Sequence, residues 1–558
     1  MRRTAGAYDM APVPDRTQMG GSVGQDCRMH TDPTPQILHG GQVRSQQYPG
    51  ATAVAVQHGR IVAIGTDDDA ASWSGKRIDL RGAWLTPAFV DAHVHACTAG
   101  EAMTSLDLAA MPSAAVLLDI IARTAQRHPG VLLTGQGWDD SAWPDGRPTR
   151  AALDRAAPAT MVLLERTDCH SAVVSTALAR RVPGLRELDG WHEDGFVLRD
   201  AHDACRQVLS SLYSASERLG HARTALRTAL QYGIGTVHEC GTPQLGPLGD
   251  LALVGQAGEE LGVDVIRYWG ADADADSLAL VHQLGLAGLA GDLDIDGTMG
   301  SRTAWLRDPY ADASHRGTRY RDLPEAAAHV IACTRAGIQA GFHCIGDAGI
   351  DIAVGAIRAA VEACGVEAVR ACRHRLEHVE MIDFELAADL ADWGVYAVVQ
   401  PLFDHAWGAP GRLYEQRLGE RYTQMNPFSG LADAGVRLAL SSDAPVTPFS
   451  SWSMVAAAVH TAVPGHGLSV ATAVDAATRQ GYRAGGDDAS GVIEVGAPAT
   501  LAAWDLPVPT PLDADGLPRL DPDDPLPACV ATMVRGRLAY TLDPWLAGDV
   551  GPGEFAAP

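Results

Sequence analysis

The stretch Val90-Asp91-Ala92-His93-Val94-His95 decides how the rest of the chain is read. Side chains two apart in a strand point to the same side. His93 and His95 therefore open on one space, spaced to grip a single metal ion through imidazole nitrogens. An HxH pair arises often by chance, and alone it reads equally well as two polar residues at a strand mouth. The pair gains weight from its company further along the chain.

Three later segments repeat the pattern. Phe342-His343-Cys344-Ile345-Gly346-Asp347 and Arg375-Leu376-Glu377-His378 each place a histidine at the end of a β-rich run, and Leu440-Ser441-Ser442-Asp443-Ala444-Pro445 places an aspartate there. Parallel (β/α)8 barrels build their active sites at the C-terminal ends of their strands. The order HxH, His, His, Asp along successive strand ends is hard to ascribe to chance.

The surrounding sequence supports a barrel. Between about Trp84 and Ala484, short β-rich runs alternate with Ala/Leu/Arg helical stretches. Val162-Leu163-Leu164, Ile234 to Val237, Val265 to Trp269, Val395 to Val399 and Val436 to Leu440 read as strands; Glu325 to Ala336 and Ile350 to Cys364 read as helices. Repeated β-then-α units predict an α/β fold with a (β/α)8 TIM-like barrel. An open doubly wound sheet is disfavoured, because no Gly-rich phosphate fingerprint comes after the first strand.

Both ends carry extra strands. Ile37 to Gly41, Ala53 to Val56 and Arg60 to Gly65 lie before the barrel; Gly491 to Gly496, Leu501 to Asp505 and Val530 to Leu538 lie after it. Neither set closes its own core, so together they predict a small β-sandwich. The domain plan is a disordered tail over 1–34, sandwich over 35–84, barrel over 85–489, sandwich again over 490–542 and a frayed tail over 543–558. The first segment is rich in Gly, Pro, Asp, Gln and Met without apolar periodicity, and Met29 is a candidate start.

The chain has 558 residues, 46% of them hydrophobic, with a formal net charge of −25 at pH 7. That charge repels phosphate backbones and anionic lipid, so nucleic-acid and membrane partners are not expected. Ten cysteines without a CxxC pair read as reduced, mostly buried thiols of a cytoplasmic protein. The only lysine is Lys76.

The segments Leu85 to His95, Gly135-Gln136-Gly137-Trp138-Asp139, Asp168-Cys169-His170, Asp296 to Ala304, His343 to Ala348, Leu376-Glu377-His378 and Ser442 to Val446 together resemble the amidohydrolase superfamily, in the branch of YtcJ-like hydrolases and N-substituted formamide deformylases. The resemblance runs from about Ile37 to Leu538. It implies a metal set of His93, His95, His343, His378 and Asp443, with Asp443 also moving protons and His378 orienting the substrate or oxyanion if one ion is bound. The implied cofactor is a divalent metal, zinc first, as one or two ions. The family often has a lysine where this chain has Asp292. A carboxylated-lysine bridge is therefore excluded, and Asp292 is a candidate ligand in its place. Asp292, Asp294 and Asp296 are expected to alternate along one strand and share a face.

The chemistry so implied is hydrolysis of a C–N bond in an amide or N-substituted formamide by metal-activated water. Trp138, Trp143, His170 and Arg302 are the candidate substrate contacts, with core packing and ion pairing as their structural alternatives. The expected partner is a small-molecule amide; a homodimer is left open. A lyase or decarboxylase on the same barrel, and a non-catalytic binding protein, are the competing readings.

Overall fold

The structure, a computed structural model, describes residues 34–507, 516–522 and 524–542. Residues 1–33, with Met29, and the tail expected over 543–558 lie outside the described residues.

Eight parallel strands form the barrel sheet: β1 (Phe89–Val94), β2 (Ile234–Gly241), β3 (Asp264–Trp269), β4 (Gly288–Leu289), β5 (Gln339–Cys344), β6 (Arg375–His378), β7 (Tyr396–Val399) and β8 (Arg437–Leu440). They succeed one another in chain order around the sheet. Closure between β8 and β1 is made just past the strand ends. A parallel bridge joins Val94 and Ala444, His95 N–H donates to Ala444 O (2.9 Å) and Asp443 N–H donates to His93 O (3.0 Å). The seam thus places the HxH pair beside Asp443. Asp91, fully buried, ties the same seam by accepting the Ser442 N–H at 2.9 Å and its hydroxyl at 2.5 Å.

Helices cover the outside. Leu323–Ala336 starts at an Asp322/Glu325 capping box with a proline in its first turn and stops at Gly337, whose φ of 67° is left-handed. These signals make its ends legible in sequence. Asp347–Cys364 comes after β5 and packs against it. No helix among the described residues is long and apolar enough to cross a membrane.

The chain ends meet in two further sheets. One holds Arg60–Gly65, Ala53–Gln57, Gln36–His39 and Lys76–Asp79; the other holds Gln42–Val43, Trp84–Pro87, Leu501–Asp505, Ala528–Val534 and Arg537–Thr541. Leu38, Val54, Ile61 and Leu85 pack with Ile493, Leu501 and Met533 in one cluster, so neither end has a core without the other. Gly491 to Gly496 does not form the expected strand. Instead it runs as turns that bury Ile493, with Gly496 N–H donating to Ile61 O (2.8 Å). Lys76 lies exposed on an edge strand there, remote in the fold from the strand ends that carry His93 and Asp443.

A larger correction concerns the long segment between β1 and β2. Val162–Arg166 is not a barrel strand. It is the middle strand of a separate five-stranded sheet, ordered Phe196–Leu198, Ser171–Val174, Val162–Arg166, Leu133–Trp138, Leu106–Asp107. A strand buried on both faces has the same apolar signature in either sheet, so the sequence pattern does not separate the two.

Candidate metal centre and active site

His93 and His95 project from the end of β1 into the barrel mouth. His95 Nε2 lies 3.0 Å from Asp292 Oδ2 and 3.2 Å from Asp443 Oδ1; His93 Nε2 lies 3.3 Å from Asp292 Oδ1 and 3.5 Å from Asp443 Oδ1. His93, His95 and Asp292 each bring a ligand atom within 4.8 Å of the others. His343 and His378 close the other side, with ring centroids 4.4 Å apart and His378 5.5 Å from His93. His93 Nε2, Asp292 Oδ1, Asp443 Oδ1, His343 Nδ1 and His378 Nε2 are all buried atoms without a hydrogen-bond partner. Buried polar atoms are normally satisfied. So many orphaned donors and acceptors around one space mark a site built for a ligand.

The hydrogen bonds behind the rings fix what they present. His93 Nδ1–H is held by Glu377 Oε2 at 2.8 Å, which turns its Nε2 towards the cavity. His378 Nδ1–H is held by Gln400 Oε1 at 2.8 Å, because the Gln400 amide nitrogen is committed to Ser441 Oγ (2.9 Å) and Val398 O. Carboxylate or carbonyl support behind an imidazole is the usual way to aim a metal-ligating nitrogen. Glu377 is in turn clamped by Arg375, and all three of Glu377, Arg375 and His93 are fully buried. Burial raises the Glu377 carboxyl's affinity for protons, but Arg375 and His93 outweigh it and bring its pKa down to about 2. Arg375 also donates to Ala92 O, contacts His238 Nδ1 and sits over the Tyr268 ring.

Carboxylates set the protonation of the site's imidazoles. Burial opposes a charge on His95, yet Asp292 and Asp443 outweigh it and raise its pKa well above the ordinary 6.5. For His93, burial is likewise overcome by Cys240, Asp292 and Asp443. A cluster that draws protons onto two buried imidazoles also suits a divalent cation.

The three aspartates after β4 do not share one face. Asp292 and Asp294 line the cavity, but β4 ends at Leu289 and only an isolated bridge, Asp294 to His343, continues the strand. Asp296 turns into the protein and accepts the N–H groups of Trp305 (2.7 Å), Ile345 (2.9 Å) and Gly346 (2.8 Å). It anchors the start of helix Asp347–Cys364, and a Cβ on Gly349 would stand 2.5 Å from its Oδ2. The loss of regular strand after Leu289 is what breaks the alternation.

The proposed substrate contacts divide. His170 lines the cavity, its ring 5.6 Å from His343. Trp138 and Trp143 do not. Trp138 is fully buried with Nε1–H on Leu164 O (2.9 Å), and Trp143 Nε1–H donates to Met111 O (2.8 Å). Both belong to the core of the inserted sheet. Arg302 is committed to Asp312 through two bonds of 3.0 and 2.7 Å, so its fork is not free for a carboxylate. Glu377 and Gln400 were not singled out from sequence. Gln400 carries the same signal as the others, a polar residue directly after a barrel strand.

The family model for the amidohydrolase family matches residues 76–540. The chain belongs to the amidohydrolase family. Among curated relatives, it is similar to the N-substituted formamide deformylase of Arthrobacter pascens, 25% identical over 504 residues that cover 82% of this chain and 90% of that one. It is also similar to YtcJ of Bacillus subtilis, 26% identical over 451 residues, covering 74% and 81%. Among solved structures, a metal-dependent hydrolase from Pyrococcus furiosus superposes with a TM-score of 0.66 at 22% identity, over 85% of this chain and 99% of that one. An atrazine chlorohydrolase from Arthrobacter aurescens, solved with zinc, superposes with a TM-score of 0.51 at 15% identity, over 91% and 96%. At these identities the two structures speak for the shared fold.

Proposed function

We propose that this amidohydrolase cleaves the C–N bond of a small amide or N-substituted formamide, using one divalent metal ion, zinc first, held by His93, His95 and Asp292 and completed by Asp443. The observation that carries the reading is the convergence of His93 Nε2, His95 Nε2 and the Asp292 and Asp443 carboxylates at 3.0–3.5 Å. The zinc of the chlorohydrolase relative and the formamide chemistry named for the Arthrobacter pascens relative agree with it.

A divalent cation held by His93, His95, Asp292 and Asp443 would supply Lewis acidity, for the carbonyl and for water near neutral pH. The chain's own groups supply the rest. The Asp443 carboxylate, at the seam beside both imidazoles, is placed to accept the proton of the attacking water and to return it to the departing nitrogen. His378 Nε2 offers a lone pair, since its Nδ1–H is spent on Gln400, and so can hold a substrate N–H. Burial lowers the His378 pKa, which keeps that lone pair free. His343 and His170 stand across the cavity and limit how the amide lies.

The test is a screen of N-formyl and N-acyl amines with metal-loaded protein in heavy-oxygen water. Label in the released acid supports hydrolysis. Product without label points to a lyase, and metal binding without turnover on any member points to a binding protein.

A further inference from the structure

A cavity of about 490 Å³, within the size range of small-molecule sites, opens at the end of the barrel opposite the metal centre. It lies at the N-terminal ends of three strands: Arg373 precedes β6, Tyr396 begins β7 and Arg437 begins β8. The helices Val470–Ala477 and Arg479–Ala484 form the facing wall. It shares no lining residue with the cavity of His95, Asp292 and Asp443.

Three guanidinium groups meet there around one carboxylate. Arg373 donates to Asp488 Oδ2 at 2.5 Å and to Arg483 O at 2.9 Å. Arg483 Nε is buried without a hydrogen-bond partner; Asp488 Oδ1 stands 3.6 Å away, too far to supply one. The Arg437 guanidinium forms no salt bridge among the described residues and rests over the Tyr396 ring, 5.6 Å from its centroid. Arg373 first, then Arg483 and Arg437, hold the Asp488 carboxyl below its ordinary pKa. The other acid of the lining, Asp475, is engaged by Gln480 Nε2 at 2.9 Å. In a chain of net charge −25, this local excess of positive charge is the arrangement that attracts an anion. Tyr396, Leu438 and Ala476 give the same space an apolar wall.

We propose that this cavity is a second binding site, for a small organic anion, a carboxylate or a phosphate ester with an apolar body, whose charged group is held by Arg437 and Arg483. The planar fork of a guanidinium matches either anion. Asp488 satisfies Arg373 but leaves the other two forks with capacity to spare, so it competes with the ligand without replacing it. The apolar wall takes the body of the molecule. The site is independent of the hydrolytic one, and its occupancy is read without turnover.

The experiment is calorimetric titration of metal-loaded protein with phenyl phosphate and, separately, with benzoate. At least one probe should bind, weakened roughly 10–100-fold in Arg437→Gln and in Arg483→Gln, the scale of a hydrogen bond to a charged group. Arg437 is exposed, so its variant should keep the wild-type melting temperature. Asp488→Asn removes the competing carboxylate and should tighten binding, which a merely loosened fold would not do. Binding of phenyl phosphate alone assigns the site to phosphate esters, and binding of benzoate alone assigns it to carboxylates. Binding that both arginine variants leave unchanged, and that His95→Ala removes, belongs to the metal centre and overturns the inference. No measurable binding of either probe at millimolar concentration overturns it as well.

Discussion

Glu377 Oε2 sits 2.8 Å from His93 Nδ1, and neither side chain has any exposed surface. The contact occupies Nδ1 and aims the Nε2 of His93 at the metal position. Glu377→Gln preserves the shape but weakens this charge-assisted bond. Metal affinity should fall by about 10–100-fold, the usual scale for such supporting groups. Competition titration with a zinc indicator checks it; unchanged affinity would show that Glu377 serves the fold alone.

The other half of that clamp is a stability device. Arg375→Met leaves the Glu377 carboxylate buried without its counter-charge, and breaking a buried pair in this way costs about 3–5 kcal/mol. Denaturant unfolding of the metal-loaded variant should show that loss. A change below about 1 kcal/mol would contradict the role, since exposed ion pairs alone reach that level.

Asp443→Asn tests the proton carrier. The amide keeps the size of the side chain and one ligating oxygen but does not accept a proton. Turnover should fall by roughly 100-fold or more, with metal content reduced less than in His93→Ala or His95→Ala. Near-normal turnover with metal bound would move the proton-transfer role to another carboxylate.

The shifted groups set the pH dependence. His93 and His95 have raised pKa values when no metal is bound. Their contribution to stability is complete below the ordinary value of 6.5 and is lost as pH rises through the higher folded values. Glu377, lowered from 4.5 to about 2, acts in the opposite sense: its contribution is present above 4.5 and lost as pH falls towards 2. Metal must displace the histidine protons, so metal affinity should strengthen as pH rises. Melting curves of chelated protein should therefore lose stability above pH 6.5, and metal should restore it. Chelated protein that gains stability steadily from pH 6.5 to 9 would contradict the assignment.

Trp138 and Trp143 mark where sequence reading stops. Both fall in the segment after the first barrel strand, and an aromatic residue reads alike in a pocket and in a core. Only the tertiary placement of Leu133–Trp138 in the inserted sheet separates them. Trp138→Ala should cost about 3–5 kcal/mol of stability, the range for emptying a large buried side chain, while KM of the folded protein stays unchanged. A selective rise in KM would return Trp138 to the substrate.

The barrel and its ligand candidates were legible because strand-end polarity survives in one dimension. His93, His95, His343, His378 and Asp443 each interrupt an apolar run where a strand ends, and the structure gathers all of them at one mouth. The aspartates after β4 were legible only as a cluster, because alternation holds within a regular strand and β4 ends before Asp292. For Arg302 the sequence leaves a substrate contact and an ion pair both open; the structure gives the ion pair, but its partner, Asp312, lies ten residues away on an irregular loop that no periodicity reveals.

Whether one metal ion at His93, His95 and Asp292 drives amide hydrolysis is decided by titrating metal-free protein with zinc while monitoring both bound metal and hydrolysis of a formamide or amide substrate. Activity should rise in step with occupancy and saturate at one ion per chain. His95→Ala should abolish both signals; His343→Ala should keep the ion and lose most turnover. Saturation at two ions, with the second lost in His343→Ala, or turnover that persists in chelated protein, would contradict the single-ion mechanism.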